Sequence, residues 1–404
     1  MTKSRFINFA RATLRSLPKL KASLVEAGKV VGLVRHFTAQ QLLIVIQPNT
    51  RHIKLAITSA CNLRCVGCRY GRDFMIGHQL SLDMVRKLLD DAAHLGVHSV
   101  RFYGGEPLLH RDLSKMVHHC VSVGIKPYLT TNGILLRQRV DELHAAGLRT
   151  ITIGYYGTGE SYDAYVQTKG QFQRLDQNVS YVREKYGDSM DLQINFLLMR
   201  PTCTLEALRE AWDFAGRYGT DFQVDLIHYS LPYFTEGPDR MLQFQMSDRS
   251  SIESVVGELM RLRNSAPNRF KEPVLSLRAI PDWLLQGPNM RVPCDAYNIL
   301  WVGPDGTVQL CYVTFKLGNL HDHSLRDLLY THAHRQAARN AFELACPNCH
   351  CERQHRIEKH LPSRLRYRSV GPSATGPNAA SEQATPDCAR SEARVTLNAN
   401  RTVS

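Results

Sequence analysis

The chain has 404 residues, 43% of them hydrophobic, a formal net charge of +13 and 11 cysteines. Such a length buries a sizeable core and suggests two or three domains. No apolar run of eighteen residues marks a membrane span, and Arg5, Arg11, Arg15, Lys19 and Lys21 break up any secretory pattern. The expected location is therefore the cytoplasm, where clustered cysteines serve as metal ligands rather than disulfides.

In chain order, residues 1–50 read as a basic helical extension. Lys3, Arg5, Arg11, Arg15, Lys19, Lys21, Lys29 and Arg35 face one acid, Glu26, in the first forty residues, and the pattern breaks near Pro18. A helix packed over the main domain with a solvated basic side accounts for this, and peripheral contact with an acidic membrane face is the alternative.

From residue 51 to 264, short β-branched runs alternate with helical periods. HIKLAIT (52–58) is a strand, followed by a loop, CNLRCVGC, holding Cys61, Cys65 and Cys68. LSLDMVRKLLDDAAHLG spaces Leu82, Val85, Leu88, Leu89, Ala92 and Leu95 as a helix, with Ser81 as N-cap and Gly96 as stop. SVRFY (99–103) leads into Gly104-Gly105-Glu106-Pro107, and a helix follows over about 112–123. Strands at 126–133, 149–156, 192–199 and 222–229 continue the series, with helices after each. These six units predict a parallel sheet in an open, partial (β/α)6 barrel, an α/β fold related to the TIM barrel.

After a linker at 265–284, residues 285–360 read as a smaller domain. YNILWVGPDGTVQLCYV forms a β-hairpin about a Gly-Pro-Asp-Gly turn, GNLHDHSLRDLL adds a turn and helix, and CPNCHC follows. Residues 361–404, poor in large apolar groups, read as a disordered tail.

Three thiols on a loop after the first strand stand where β/α barrels carry their chemistry. Spacing alone suits zinc as well as an iron–sulfur cluster. The motif Cys-x3-Cys-x2-Cys (Cys61, Cys65, Cys68), with Gly-Gly-Glu-Pro after the second strand and LTTNG after the third, resembles the radical S-adenosylmethionine superfamily over about residues 50–260. The resemblance implies a [4Fe–4S] cluster on the three cysteines whose open iron binds S-adenosylmethionine. Reductive cleavage then gives a 5′-deoxyadenosyl radical that takes a hydrogen atom from substrate. It also implies a flavodoxin- or ferredoxin-type electron donor. Gly104, Gly105, Glu106 and Pro107 would hold the cofactor's amino group through turn carbonyls. Thr131 and Asn132 would approach the cofactor from the third strand, and Asn195 would contact ribose or carboxylate. Two departures stand out. Gly67 occupies the position where many members place an aromatic residue, leaving Tyr70 as a substitute, and IGYYG replaces a common Asp-Gly pair.

Cys294, Cys311, Cys346, Cys349 and Cys351 resemble the auxiliary-cluster domains known as SPASM and twitch. Five cysteines imply one further [4Fe–4S] cluster, on Cys294, Cys311, Cys346 and Cys349 with Cys351 spare; a structural zinc would use the same thiols. His350, inside that turn, and His118 and His119 are expected at the surface. Cys120 and Cys203 are expected in the core, and Cys388 is assigned nothing. The arrangement suggests oxidation or rearrangement of a small molecule. Peptide modification and a non-catalytic iron–sulfur or zinc module are the alternatives. No nucleic acid is expected, because aromatic residues do not interleave with the basic ones.

Overall fold

The computed structural model describes residues 18–230, 234, 241–311 and 314–369. A helix, α1 (Pro18–Gln41), precedes β1 (His52–Thr58). Then come α2 (Leu82–His94), β2 (Ser99–Gly104), α3 (Leu113–Ser122), β3 (Lys126–Thr131), α4 (Leu136–Ala145) and β4 (Thr150–Tyr155). The next segment holds α5 (Glu160–Val166), α6 (Gln171–Tyr186), β5 (Asp191–Leu198), α7 (Leu205–Arg217), β6 (Asp221–Leu226) and α8 (Arg249–Ser265).

Strands β1 to β6 pair in parallel, in sequence order. Their alternation explains the arrangement. Ile53, Leu55 and Ile57, with Val100, Phe102, Ile151, Ile153, Ile194 and Phe196, are buried on one face, where the helices pack. On α2 the residues meeting that face are Val85, Leu88, Leu89 and Ala92; each fully buried leucine or valine is worth roughly 1.5–3 kcal/mol. Ser81 caps α2 by accepting a hydrogen bond from the Met84 N–H at 3.2 Å. The opposite face carries polar side chains that bond one another: Arg101 to Thr130 at 3.5 Å, Thr152 to Gln193 at 3.0 Å and Gln223 to Gln193 at 3.2 Å.

The sheet does not end at β1. Strand β7 (Ile299–Val302) lies parallel to β1, with His52 opposite Ile299 and Leu55 opposite Val302. Strands β8 (Thr307–Gln309) and β9 (Lys316–Asn319) follow antiparallel, giving nine strands in the order β6-β5-β4-β3-β2-β1-β7-β8-β9. Strands β7 and β8 are the hairpin read in the sequence, joined to the main sheet. The remaining helices are α9 (Val274–Arg278), α10 (Ile280–Gln286), α11 (Leu325–Leu328), α12 (His332–Phe342), α13 (Arg353–Lys359) and α14 (Leu361–Ser369). Asp295 ties α1 to α13: His36 Nε2 lies 2.9 Å from its carboxylate, and Lys359 pairs with the other oxygen.

Three expectations are corrected. The 265–284 linker contains α9 and the start of α10, with Leu277, Ile280 and Trp283 fully buried. Their apolar side chains give these helices a core to join. The segment expected to be disordered from 361 begins as helix α14, because the buried Tyr367 donates a hydrogen bond to Asp282 at 2.6 Å. His350 is 2% exposed rather than on the surface. Its turn packs against the end of β6, where the ring bonds the Ile227 carbonyl at 3.0 Å. Residues 370–404, with Cys388, and residues 1–17 lie outside the described residues.

Candidate functional site

The loop after β1 is held by its neighbours on both sides. Cys68 N–H donates to Cys65 O at 3.1 Å, and Val66 N–H donates to Tyr165 O, at the end of α5, at 2.9 Å. Arg72 donates to the carbonyls of Arg64 and Cys65 and to Gln167 Oε1, placing a guanidinium against the loop. Leu63 N–H points at Cys61 Sγ, 3.5 Å away, a bond that favours thiolate. Burial acts the other way and pushes the thiol of Cys61 up to about 12 and those of Cys65 and Cys68 upward. Three such thiols ionise together only when a cation joins them. The donor set therefore fits a metal centre.

The Gly-Gly-Glu-Pro turn lies directly on that loop. Gly105 N–H donates to Thr58 O at 2.9 Å and Glu106 N–H to Ala60 O at 2.8 Å. A Cβ on Gly104, whose φ is +138°, would collide with the Thr58 carbonyl, and one on Gly105 with that of Ala60. Both positions require glycine because backbone meets backbone. Glu106 is fully buried. Its carboxylate accepts from Leu108 N–H (2.9 Å), Thr131 Oγ1 (2.8 Å) and Asn132 N–H (2.9 Å), stapling the β2 loop to the β3 loop. Burial still outweighs these donors and raises the Glu106 carboxyl to about 7.

Asn132 reaches the cysteine loop by donating from Nδ2 to Asn62 Oδ1 at 2.8 Å. Thus Cys61, Cys65, Cys68, Gly104 to Pro107, Thr131 and Asn132 converge at the C-terminal ends of β1, β2 and β3. Asn195 is half-buried on the polar side of β5. Tyr70 is buried and packs edge-on against Phe74, ring centroids 5.0 Å apart. In the IGYYG segment, Tyr156 packs on Tyr165 at 4.7 Å and Tyr162 at 5.8 Å. Asn62 and Arg72 were not singled out in the sequence. Asn62, next to the first cysteine, offered a positional signal, whereas Arg72 has none.

Cys294, Cys311, Cys346, Cys349 and Cys351 line a second pocket, together with Arg356 of α13. Backbone N–H groups again point at sulfur: Ala296 at Cys294 (3.3 Å) and Cys351 at Cys349 (3.4 Å). The Cys349 thiol is held down to about 7, chiefly by its hydrogen bond with Cys351. This set too fits a thiolate-bound metal. Cys120 and Cys203 are buried elsewhere in the core, His118 is exposed, and His119 is half-buried beside Asp90 at 2.8 Å.

After β6, His228 and Tyr229, which the sequence does not mark out, pack against His350 of the CPNCHC turn. His228 stacks on His350 with ring centroids 4.0 Å apart and planes inclined by 30°. Donor atoms of Asp225, His228 and His350 lie within 4.8 Å of one another. Among the described residues, the buried atoms His228 Nδ1, Tyr229 Oη and Ser230 Oγ have no hydrogen-bond partner. Burial keeps His228 neutral, at about 4.

Residues 55–215 match the model of the radical SAM superfamily, and residues 294–352 match that of the SPASM iron–sulfur cluster-binding domain. A probable GTP 3′,8-cyclase of Methanococcus vannielii is 31% identical over 176 residues, 43% of this chain and 58% of that protein. A GTP 3′,8-cyclase of Staphylococcus saprophyticus is 37% identical over 112 residues, 26% of this chain and 33% of that protein. The chain thus spans little more than half the length of these curated relatives, or less. Among solved structures, Streptococcus suis SuiB bound to S-adenosylmethionine superposes with a TM-score of 0.57 at 18% identity, over 74% of this chain and 70% of that one. The anSMEcpe structure with bound AdoMet and Cp18Cys peptide gives 0.56 at 16% identity, over 78% and 95%. These two likenesses speak to fold.

Proposed function

The chain belongs to the radical S-adenosylmethionine superfamily and carries a SPASM domain, and we propose that it oxidises or rearranges a small-molecule substrate, using a second [4Fe–4S] cluster. The observation that carries this is the convergence of Cys61, Cys65 and Cys68 with the Gly-Gly-Glu-Pro turn, together with a separate five-cysteine pocket in the same chain. Cys61, Cys65 and Cys68 hold the first cluster, and four of the five later cysteines hold the second. When bound, the first cluster and S-adenosylmethionine supply a 5′-deoxyadenosyl radical that removes a hydrogen atom from substrate. Gly104 and Gly105 let the second loop approach the cysteine loop, Glu106 fixes its distance from β3, and Asn62 and Asn132 close the third side. His228, Tyr229 and Ser230 offer polar atoms without partners among the described residues, which hydroxyl or amide groups of a substrate could satisfy.

Two observations favour a small molecule over a peptide. The curated relatives bear the name GTP 3′,8-cyclase, and residues 18–41 form a helix rather than strands to which an extended peptide would add. The test is anaerobic: reduced protein with S-adenosylmethionine forms 5′-deoxyadenosine, and about eight irons per chain accompany two cubanes. Absence of 5′-deoxyadenosine, or zinc in place of iron, defeats the reading. Faster formation with a peptide, but with neither GTP nor a polyol, assigns the substrate to the peptide class.

A peripheral membrane contact is a second reading. On α1, Gly32, His36 and Ala39 face the protein, while Val30, Val31, Val34 and Phe37 are exposed, followed by exposed Leu42 and Ile44. In the sequence Lys19, Lys21 and Lys29 accompany this apolar strip, a composition an interfacial helix shares. Sedimentation with phosphatidylglycerol vesicles, weakened by Phe37→Glu, supports it; equal sedimentation of the variant overturns it.

A further inference from the structure

Arginine is rarely buried unless a carboxylate answers its charge. Helix α13 contains both the rule and its exception, one turn apart. Arg353, 6% exposed, pairs with the buried Glu272 at 2.6 Å. Arg356 is fully buried, and among the described residues no carboxylate pairs with it. Its guanidinium donates to the carbonyls of Cys349 and Val292 and to Asn348 Oδ1, and it lies 4.6 Å from the ring centroid of Trp283. Its Nε has no partner among the described residues. Carbonyls and an aromatic face orient a cation but do not neutralise it. What shares its pocket is Cys294, Cys311, Cys346, Cys349 and Cys351. Four thiolates around a doubly positive metal core leave a net anion there, the missing counter-charge.

We propose that Arg356 is the resident counter-cation of the second iron–sulfur cluster and raises that cluster's reduction potential, so that it accepts electrons. The inference rests on the cluster reading above. A fixed positive charge stabilises the reduced, more negative state of the cluster. Its hydrogen bond to the Cys349 carbonyl ties it to the ligand turn, so charge and cluster are set by the same few residues. Arg356 is a positioning and tuning residue, distinct from any group touching substrate.

The test uses the full chain, reconstituted anaerobically, with Cys61, Cys65 and Cys68 replaced by alanine so that only the second cluster reports. Spectroscopic redox titration compares Arg356→Gln, which drops the charge, with Arg356→Lys, which keeps it. The glutamine variant is expected to shift the oxidised-to-reduced ratio at fixed potential at least tenfold toward oxidised, about 59 mV for a one-electron couple, with lysine restoring most of the shift. A ratio unchanged in the glutamine variant overturns the inference. Iron retained with lysine but lost with glutamine supports it; iron lost equally from both overturns it. Thermal midpoints, with and without iron, separate a merely structural role. The cost of glutamine is larger in the iron-loaded protein if Arg356 answers the cluster, and equal in both if it does not. Zinc in place of iron at this site in the unsubstituted chain defeats the cluster reading itself, and the inference with it.

Discussion

The two cysteine pockets bury opposite kinds of side chain. At the first, a buried carboxyl, Glu106, sits among neutral donors and staples three loops together. At the second, a buried guanidinium, Arg356, sits among carbonyls behind five thiols. The first is assembled from loops at strand ends, where a cofactor has access. The second is enclosed, closed over by α12, α13 and the ligand turn. The contrast teaches that thiol count alone does not define such a site. The side chain buried beside the thiols differs as well, a carboxyl at the first and a guanidinium at the second.

The most severe break in the comparison is Cys65→Ala, which is expected to abolish 5′-deoxyadenosine formation while leaving about four irons on the second site, measured by iron analysis. Loss of all iron would mean the pockets do not load separately. Next is Gly105→Ala. The added methyl meets the Ala60 carbonyl, and a forced backbone shift of this kind costs about 1–3 kcal/mol. Cofactor cleavage is expected to fall at least about tenfold, with the second cluster's spectrum unchanged. Cys311→Ala sharpens the comparison from the other side: 5′-deoxyadenosine still forms, while conversion of substrate drops. Equal loss of both would remove the separate redox role.

A subtler prediction concerns pH. The native Glu106 carboxyl titrates at about 7, above its ordinary 4.5, so between these values the folded chain binds more protons than the unfolded one. Its stabilising contribution is complete below about 4.5 and is lost as pH rises through 7, a change of about 3 kcal/mol. Glu106→Gln stays neutral and should lack this slope, as read by denaturant melts of the metal-free protein from pH 4.5 to 8. Parallel profiles would show that the carboxyl is not perturbed. The smallest effect is expected from Asn62→Ala. Loss of the partly exposed bond to Asn132 costs about 1 kcal/mol and a few-fold in cofactor affinity.

The six strands of the main sheet were legible because each is a short run with one apolar face, punctuated by capped helices; β1 has the bounds that its sequence suggested. The residues converging at the first pocket were legible because they sit on consecutive loops. What stayed hidden depends on long-range contact. The pairing of β7 with β1 joins residues some 250 positions apart, for example His52 and Ile299, and no local pattern encodes a partner. His350 looks like a surface residue in the sequence and Arg356 carries no signal there, because burial of charge or imidazole depends on what tertiary packing brings against it. Helices α9 and α10 are five and seven residues long, too short for periodicity to reveal them.

The parallel pairing of β7 with β1 has a consequence for how this chain can be divided. Cutting it near residue 265, at the end of α8, would strip β1 of β7 and leave a raw sheet margin of unpaired amides, a template for sticking to other chains. The fragment that looks most self-sufficient on paper is therefore the one expected to clump.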